Sequence, residues 1–259
     1  MNFTNKVVLL TGAASGIGAA TAVKFSELGA KLAIVDRSKE GLKKTAENCL
    51  KYAKSKDQGE ILQLVGDVSQ PEDLECIAKQ TIDKYKRLDV LVNNAGIMED
   101  GTIENTSLKQ FDCMIHTNLR SQFYLTLLLV PELLKTKGNI VNTSSICGMR
   151  SFPNTLAYNI SKSGVDQFTR CVALELGERG VRCNCINPGV IYTNLQKRYL
   201  DEKAYDEFIK KAKHTHALAR YGQPVEVANV ICFLASDLAS FITGHSVPVD
   251  GGRHAMTPR

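Results

Sequence analysis

The stretch Val7-Val-Leu-Leu-Thr-Gly-Ala-Ala-Ser-Gly-Ile-Gly18 decides the fold. Val7–Leu10 is a continuous apolar run with the length of one buried strand. The glycines at 12, 16 and 18 then free the backbone where side chains would collide with a pyrophosphate. Past the turn, Ile17, Ala20, Thr21, Lys24, Phe25 and Leu28 recur at intervals of three and four. That spacing predicts a helix whose unpaired N–H groups and positive dipole end face the turn, with Ser15 and Ile17 at its mouth. A second run, Leu32–Val35, ends in Asp36, 18 residues past Gly18. A carboxylate so placed suits ribose hydroxyls. Its plainer role is to cap a helix starting near Ser38, but the C-terminal end of a strand at a switch point faces ligand. Asp36 would repel a 2′-phosphate, which favours NAD and makes NADP the less expected cofactor. Arg37 is the counter-signal, since a guanidinium pairs with phosphate.

Outward from this unit the pattern repeats. Strand-like runs at Ile61–Val65, Val90–Val92, Asn139–Asn142, Val181–Ile186 and Ser246–Val249 alternate with amphipathic stretches. Apolar residues on successive positions mean burial on both faces. The prediction is an α/β fold: a Rossmann-type, doubly wound, seven-stranded parallel sheet in a single domain over 1–259. Long helices are expected at Phe111–Leu134 and Tyr158–Gly180. The charged stretch Leu195–His216 breaks the alternation and is read as a lid near a site. Within it, His214 and His216 read as surface histidines.

Composition excludes other classes. With 44% hydrophobic and 23% charged residues the chain is neither disordered nor fibrous. A net charge of +5 without a basic stripe does not argue for nucleic acid. The N-terminal apolar run is too short for a signal core or a membrane span. The expectation is a cytoplasmic protein with no membrane partner. The 8 cysteines read as buried reduced thiols, and Cys183 and Cys185 lack a second pair at zinc spacing, so no metal is expected.

Tyr158-Asn-Ile-Ser-Lys162 carries the chemistry. Positions i and i+4 share a helix face, holding phenol and ammonium close together. A free tyrosine ionises near ~10, and a neighbouring cation stabilises its phenolate. Tyr158 would then exchange a proton with a substrate hydroxyl while hydride passes to nicotinamide; the plainer reading of the same five residues is a Tyr/Lys pair on an ordinary exposed helix.

At this point the sequence resembles the short-chain dehydrogenase/reductase family over almost its whole length. The resemblance rests on TGAASGIG at 11–18, Asp67-Val68, NNAG at 93–96, Asn118, SSICG at 144–148, YNISK at 158–162, INPGVIYT at 186–193, RYGQP at 220–224, FLASD at 233–237, FITG at 241–244 and VDGG at 249–252. It implies an oxidoreductase interconverting a secondary alcohol and a ketone, of the 3-oxoacyl reductase or hydroxysteroid dehydrogenase type. By position, it implies Tyr158 as acid/base, Lys162 as its electrostatic partner and a ribose contact, and Ser145 as the residue orienting the substrate oxygen, with Ser144 the weaker candidate. Asn118 is implied to anchor a proton-relay water. Asp67 and Val68 match adenine contacts, Asn94, Ala95 and Gly96 the ribose floor, and Pro188, Ile191 and Thr193 the carboxamide loop. Ile160 and Gly164 depart from the usual pattern without touching the proton path. The family also implies a homotetramer. The apolar Phe111–Leu134 stretch and the helix after Tyr158 resemble its interface. A catalytically silent nucleotide-binding relative is the alternative function. The apolar residues Ile97, Met98, Ile146 and Phe152 favour a hydrophobic substrate, such as a steroid, terpenoid or 3-oxoacyl compound.

Overall fold

The fold is described from a computed structural model covering residues 1–53, 61–198 and 200–256. Tyr199 of the expected lid and positions 54–60 and 257–259 of the expected domain lie outside the described residues. Seven parallel strands, β1 (Val7–Thr11), β2 (Lys31–Asp36), β3 (Leu62–Val65), β4 (Val90–Asn93), β5 (Asn139–Thr143), β6 (Arg182–Pro188) and β7 (Ser246–Val249), form one sheet in the order β3-β2-β1-β4-β5-β6-β7. The order reverses at β1, which pairs with β2 on one side, Val8 opposite Leu32, and with β4 on the other, Val8 opposite Val90.

The continuous apolar runs are buried on both faces, as their composition requires. Val8 and Leu10 of β1 project into one core with Phe25, Ile34 and Ile231. Val7 and Leu9 project into the other with Leu91, Leu125, Leu129 and Leu133. The first core is covered by α1 (Gly16–Glu27), α2 (Lys39–Lys51) and α9 (Pro224–Ala235), the second by α3 (Pro71–Tyr85), α5 (Ser121–Thr136) and α7 (Leu156–Gly177).

Two expected helices are built differently. Phe111–Leu134 is not one uniform helix: α4 (Leu108–Ile115) passes through a π-helical turn, His116–Arg120, before α5 continues with Pro131 inside it. The 195–216 stretch holds a short 3-10 turn (Gln196–Arg198) and then α8 (Glu202–Thr215), capped by Asp201 through the Ala204 N–H at 2.8 Å. α8 is amphipathic enough to be legible; the 3-10 turn has no periodic signal. Among the described residues no helix is long and apolar enough to cross a membrane, and no cluster of metal-ligating side chains occurs. All eight cysteines are unbridged, but Cys76 and Cys171 are exposed rather than buried, because each lies on the outward face of a surface helix.

The N-terminal edge of the sheet is pinned by Asp89. Its buried carboxylate accepts from the Val7 N–H at 2.9 Å and from Arg87 Nε and Nη2 at 2.8 and 2.7 Å, with Lys6 Nζ at 3.4 Å. Burial alone would raise its ionisation; the Arg87 and Val7 donors and the two cations outweigh this and hold it below the ordinary carboxylate range. A depressed folded-state value means the stabilisation is present above the unfolded value near ~4 and is lost as pH falls through the folded one. Asp89→Asn should therefore cost ~1–3 kcal/mol at neutral pH, at the low end because Arg87 is half exposed. It should also flatten the acid limb of the stability curve. Urea midpoints followed by circular dichroism from neutral to acid pH test both; an unchanged acid limb would refute the assignment.

Candidate active site

The C-terminal ends of the strands open into a cavity of about 910 Å³ that reaches from Asp36 to the inner face of α8. At one end, the turn after β1 is held against β4. Thr11 Oγ1 accepts from the N–H groups of Asn94 and Ala95 at 3.0 and 3.1 Å, and Asn94 Nδ2 donates back to the Thr11 and Gly12 carbonyls at 3.0 and 3.2 Å. The packing is so close that a Cβ at Gly18 would stand 2.0 Å from the Gly12 carbonyl oxygen, and one at Gly12, whose φ is +69°, 2.8 Å from the Ala95 Cα. Ser15 occupies the N-cap of α1 without a side-chain capping bond. The first-turn N–H groups therefore point into the cavity without that competitor.

Asp36 lines the cavity, with its two oxygens accepting from the Ala14 and Ser38 N–H groups at 3.1 Å each. The helix-capping task falls to Ser38, whose side chain accepts from the Gly41 N–H. Arg37 also lines the cavity and pairs with Asp67 at 3.3 Å. Gly12, Ser15, Gly16, Ile17, Gly18, Asn94, Ala95, Gly96, Pro188, Ile191 and Thr193 all reach this wall; Asp67, Val68 and Asn118 do not line it, Asp67 meeting it through Arg37 and Asn118 lying against Gly96. Val68 is buried in the second core instead.

At the other end, α7 presents Tyr158, Lys162 and Asp166 as one stripe at i, i+4 and i+8, all buried. Lys162 Nζ lies 5.7 Å from the centre of the Tyr158 ring and donates to the Thr143 carbonyl at 2.8 Å. Its burial lowers its ionisation to about 8, against the opposing pull of Asp166. Ser145, two residues past the end of β5, lines the cavity and accepts from the Cys147 N–H at 3.1 Å. Ser144 also lines the cavity, and its hydroxyl is committed to the Lys162 carbonyl at 3.0 Å. Asn118 sits in the π-helical turn. Its Oδ1 accepts from the Ile97 N–H at 2.8 Å, while its Nδ2 donates to the Ile97 carbonyl at 2.9 Å and to Ser161 Oγ at 3.0 Å. The Gly96 α-carbon faces both Asn118 and Lys162: a Cβ there would lie 3.2 Å from Asn118 Oδ1 and 3.4 Å from Lys162 Nζ.

The sequence reading missed a supporting layer. Asn187 Nδ2 donates to the Ser145 carbonyl at 2.8 Å and to both oxygens of Asp166 at 3.0 and 3.1 Å. Asp166 was detectable as the third member of the Tyr158/Lys162 stripe, and Asn187 as a polar residue interrupting an apolar strand. His216 corrects the surface reading made for it. It is buried, its Nε2 accepts from the Val190 N–H at 3.1 Å, and its Nδ1 faces the Ala212 carbonyl at 3.0 Å, so the ring is the neutral tautomer protonated at Nδ1. Burial lowers its ionisation. It ties the end of α8 to the 188–193 loop. His214 is exposed as expected.

A doubly wound sheet with Tyr, Lys and Ser gathered over its C-terminal edge defines a Rossmann-type oxidoreductase. A family model described as enoyl-(acyl carrier protein) reductase matches residues 12–254. The chain is 38% identical to 3-oxoacyl-(acyl-carrier-protein) reductase FabG of Thermotoga maritima, covering 97% of this chain and 99% of that one. It is also 38% identical to levodione reductase of Leifsonia aquatica, covering 98% and 96%. The crystal structure of a levodione reductase superposes with a TM-score of 0.90 at 36% identity, over 99% and 100% of the chains. A Caenorhabditis elegans short-chain dehydrogenase/reductase of unknown function, crystallised with cofactor, superposes at 0.92 and 33% identity, over 98% and 97%. The chain belongs to the short-chain dehydrogenase/reductase family, in its 3-oxoacyl reductase and hydroxysteroid dehydrogenase branch, and is an NAD(P)-dependent oxidoreductase acting on CH–OH groups.

Proposed function

We propose that the protein interconverts a secondary alcohol and a ketone on a largely apolar substrate, with Tyr158 as acid/base. The observation that carries this reading is the stripe of Tyr158 and Lys162 buried beside Ser145 in one cavity. The residues present fit a dinucleotide: the Gly12–Gly18 cradle leaves no room for side chains, and Asp36 stands at its far end. When bound, a nicotinamide dinucleotide supplies hydride-transfer chemistry. Gly12 through Gly18 would hold its phosphates, Asn94 to Gly96 its ribose floor, and Pro188, Ile191 and Thr193 its carboxamide. Asp67 and Val68 are proposed to bear on the adenine end from behind the wall, Asp67 through Arg37.

In the protein's own part, Tyr158 Oη gives or takes the proton at the substrate oxygen. Ser145 Oγ donates to that oxygen as charge develops on it. Lys162, anchored on the Thr143 carbonyl, supplies positive charge beside the phenol. Asn118 shapes the floor beside Lys162 along which a water would relay the proton. The inner face of α8, with Leu195, Leu200, Ala204 and Phe208 at the wall, is proposed as a lid over an apolar substrate. Unbridged thiols accord with a reducing, cytoplasmic setting. Absorbance of the reduced nicotinamide, with a panel of hydrophobic ketones and secondary alcohols, tests the reading; no turnover across the panel would overturn it.

NAD is the proposed cofactor. Asp36 keeps acceptor capacity beyond its two backbone bonds, and Arg37, which a 2′-phosphate would need, is already paired with Asp67. NAD should give the higher kcat/KM, and Asp36→Ala should narrow the gap by relieving repulsion. Equal or better use of NADP by the unmutated enzyme would reverse this assignment.

A homotetramer is the proposed assembly. α5 leaves Phe123 and Leu127 at 50% and 53% exposure and α7 leaves Leu174 at 83%, and Phe123 meets Phe168 edge-on across the two helices. Such a face is costly in water and suits a two-fold helix-bundle interface. Light scattering at micromolar concentration should report a particle about four times the chain mass; a monomer would refute it.

A further inference from the structure

Arg253 is a cation the mechanism does not use. It follows β7 by a turn through Gly251 and Gly252, lines the cavity, and is half-buried there. Its guanidinium carbon lies 4.5 Å from the centre of the Phe152 ring. Among the described residues no carboxylate comes within ion-pairing distance of it. Asp250, three residues earlier, is occupied by its own turn: its oxygens accept from the Gly252 N–H at 3.0 Å and the His254 N–H at 2.6 Å, and both face His254 Nδ1 at 3.0 Å. Burial weakens the protonation of Arg253, as expected for a charge short of a partner.

Its place in the cavity is the substrate half. Arg253 packs against α6 (Ile146–Met149), the turn that follows Ser145, and the Cys147 thiol feels the charges of both Lys162 and Arg253. The adenosine end, with Asp36 and Arg37, is the opposite end. Lys162 on this half is buried and held on the Thr143 carbonyl, and the remaining charged groups that line it, Asp100, Glu207 and Lys211, are exposed. An arginine does not escape its cost by deprotonating, and a half-buried one draws compensation from a ring face and from an anion.

We propose that Arg253 is a specificity residue that receives a carboxylate on the substrate, so that the preferred substrates are apolar oxo acids and hydroxy acids. This rests on the alcohol/ketone reading of the same site. The planar fork of a guanidinium, seated over the Phe152 ring, matches the two oxygens of a carboxylate in parallel bonds. Of the cations that line this half, Lys162 is held on the Thr143 carbonyl and Lys211 is exposed, so the half-buried Arg253 is left to meet the substrate, and one carboxylate satisfies its fork.

The test separates binding from turnover. A straight-chain fatty carboxylate, the matching alkyl phosphate and the matching fatty alcohol are titrated calorimetrically into the cofactor-loaded protein. The carboxylate should bind at least ~10-fold more tightly than the alcohol, and the gap should close in Arg253→Gln and survive in part in Arg253→Lys, which keeps the charge without the fork. Equal binding of carboxylate and alcohol by the unmutated protein, or a gap that persists in Arg253→Gln, overturns the proposal; tighter binding of the phosphate overturns the choice of carboxylate. In parallel, oxo acids with different ketone–carboxylate spacings are compared with their methyl esters. The acid-over-ester ratio of kcat/KM should fall ~10-fold in Arg253→Gln, mainly through KM. Turnover of neither acids nor esters, with carboxylate binding intact, would count against the alcohol/ketone reading alone.

Discussion

Tyr158→Phe is expected to lower turnover by ~10²–10⁴-fold, the range for losing a positioned acid/base. The change removes one hydroxyl and leaves the buried ring to pack against Ile97, Met114 and Ala157, so the fold should be retained. Lys162→Met should lower turnover as well, but with two different signatures. Cofactor affinity should weaken with loss of the proposed ribose contact. Stability should hold or rise: burial has depressed the lysine from 10.5 to about 8, so its charged form destabilises the folded protein at neutral pH by up to roughly 3 kcal/mol. Stability of the unmutated protein should accordingly climb as pH rises from about 8 towards 10.5, where the unfolded chain binds the extra proton, and this climb should vanish in Lys162→Met. The lost bond to the Thr143 carbonyl offsets about 1 kcal/mol of the gain. Thermal unfolding, cofactor titration and steady-state kinetics on the two variants separate these roles. Full turnover by a folded Tyr158→Phe protein would remove Tyr158 from the chemistry.

Gly18→Ala is the second large effect. The added methyl would sit 2.0 Å from the Gly12 carbonyl oxygen and 2.7 Å from Asn94 Nδ2. The first obstacle is backbone, so relief requires α1 to move off the β1 turn. Overpacking of this kind costs ~1–3 kcal/mol in stability. The cofactor penalty should be larger, because displacing α1 swings its N-terminal N–H groups away from the phosphates. Dinucleotide affinity should fall by ~10-fold or more, with a lower Tm. Unchanged binding and Tm would show that the turn is slacker than its packing indicates.

Much of this was legible because parallel sheets are buried on both faces: runs such as Val7–Leu10 and Leu32–Val35 could be nothing but interior strands. Asp36, Tyr158 and Lys162 were legible because short-range spacing fixes them on a strand end or a helix face; Ser145 was legible only through the resemblance of the SSICG run to the family. What stayed hidden depends on long-range partners. The Asp166–Asn187–Ser145 link joins α7 to β6 and to the end of β5, contacts that no local pattern encodes. His216 looked like a surface residue because it closes a charged helix; its burial follows from the 188–193 loop folding back over it. Arg253 follows a glycine turn with no periodicity from which its direction could be read.

The π-helical turn at His116–Arg120 fixes the phase of everything after it. One residue more than an α-helix would use rotates α5 by ~100° relative to α4. That offset lets Asn118 reach sideways to Ile97 while Leu125, Leu129 and Leu133 still meet the sheet. The helix is thus cut to length by two unrelated demands, a polar one at its middle and an apolar one along its second half. Shortening it by one residue anywhere in 116–120 would leave a perfectly good helix that is out of phase, with Phe123 and Leu127 swung towards the core and Leu125, Leu129 and Leu133 moved to its half-buried edge. For this stretch the count of residues constrains the protein more tightly than their identity does.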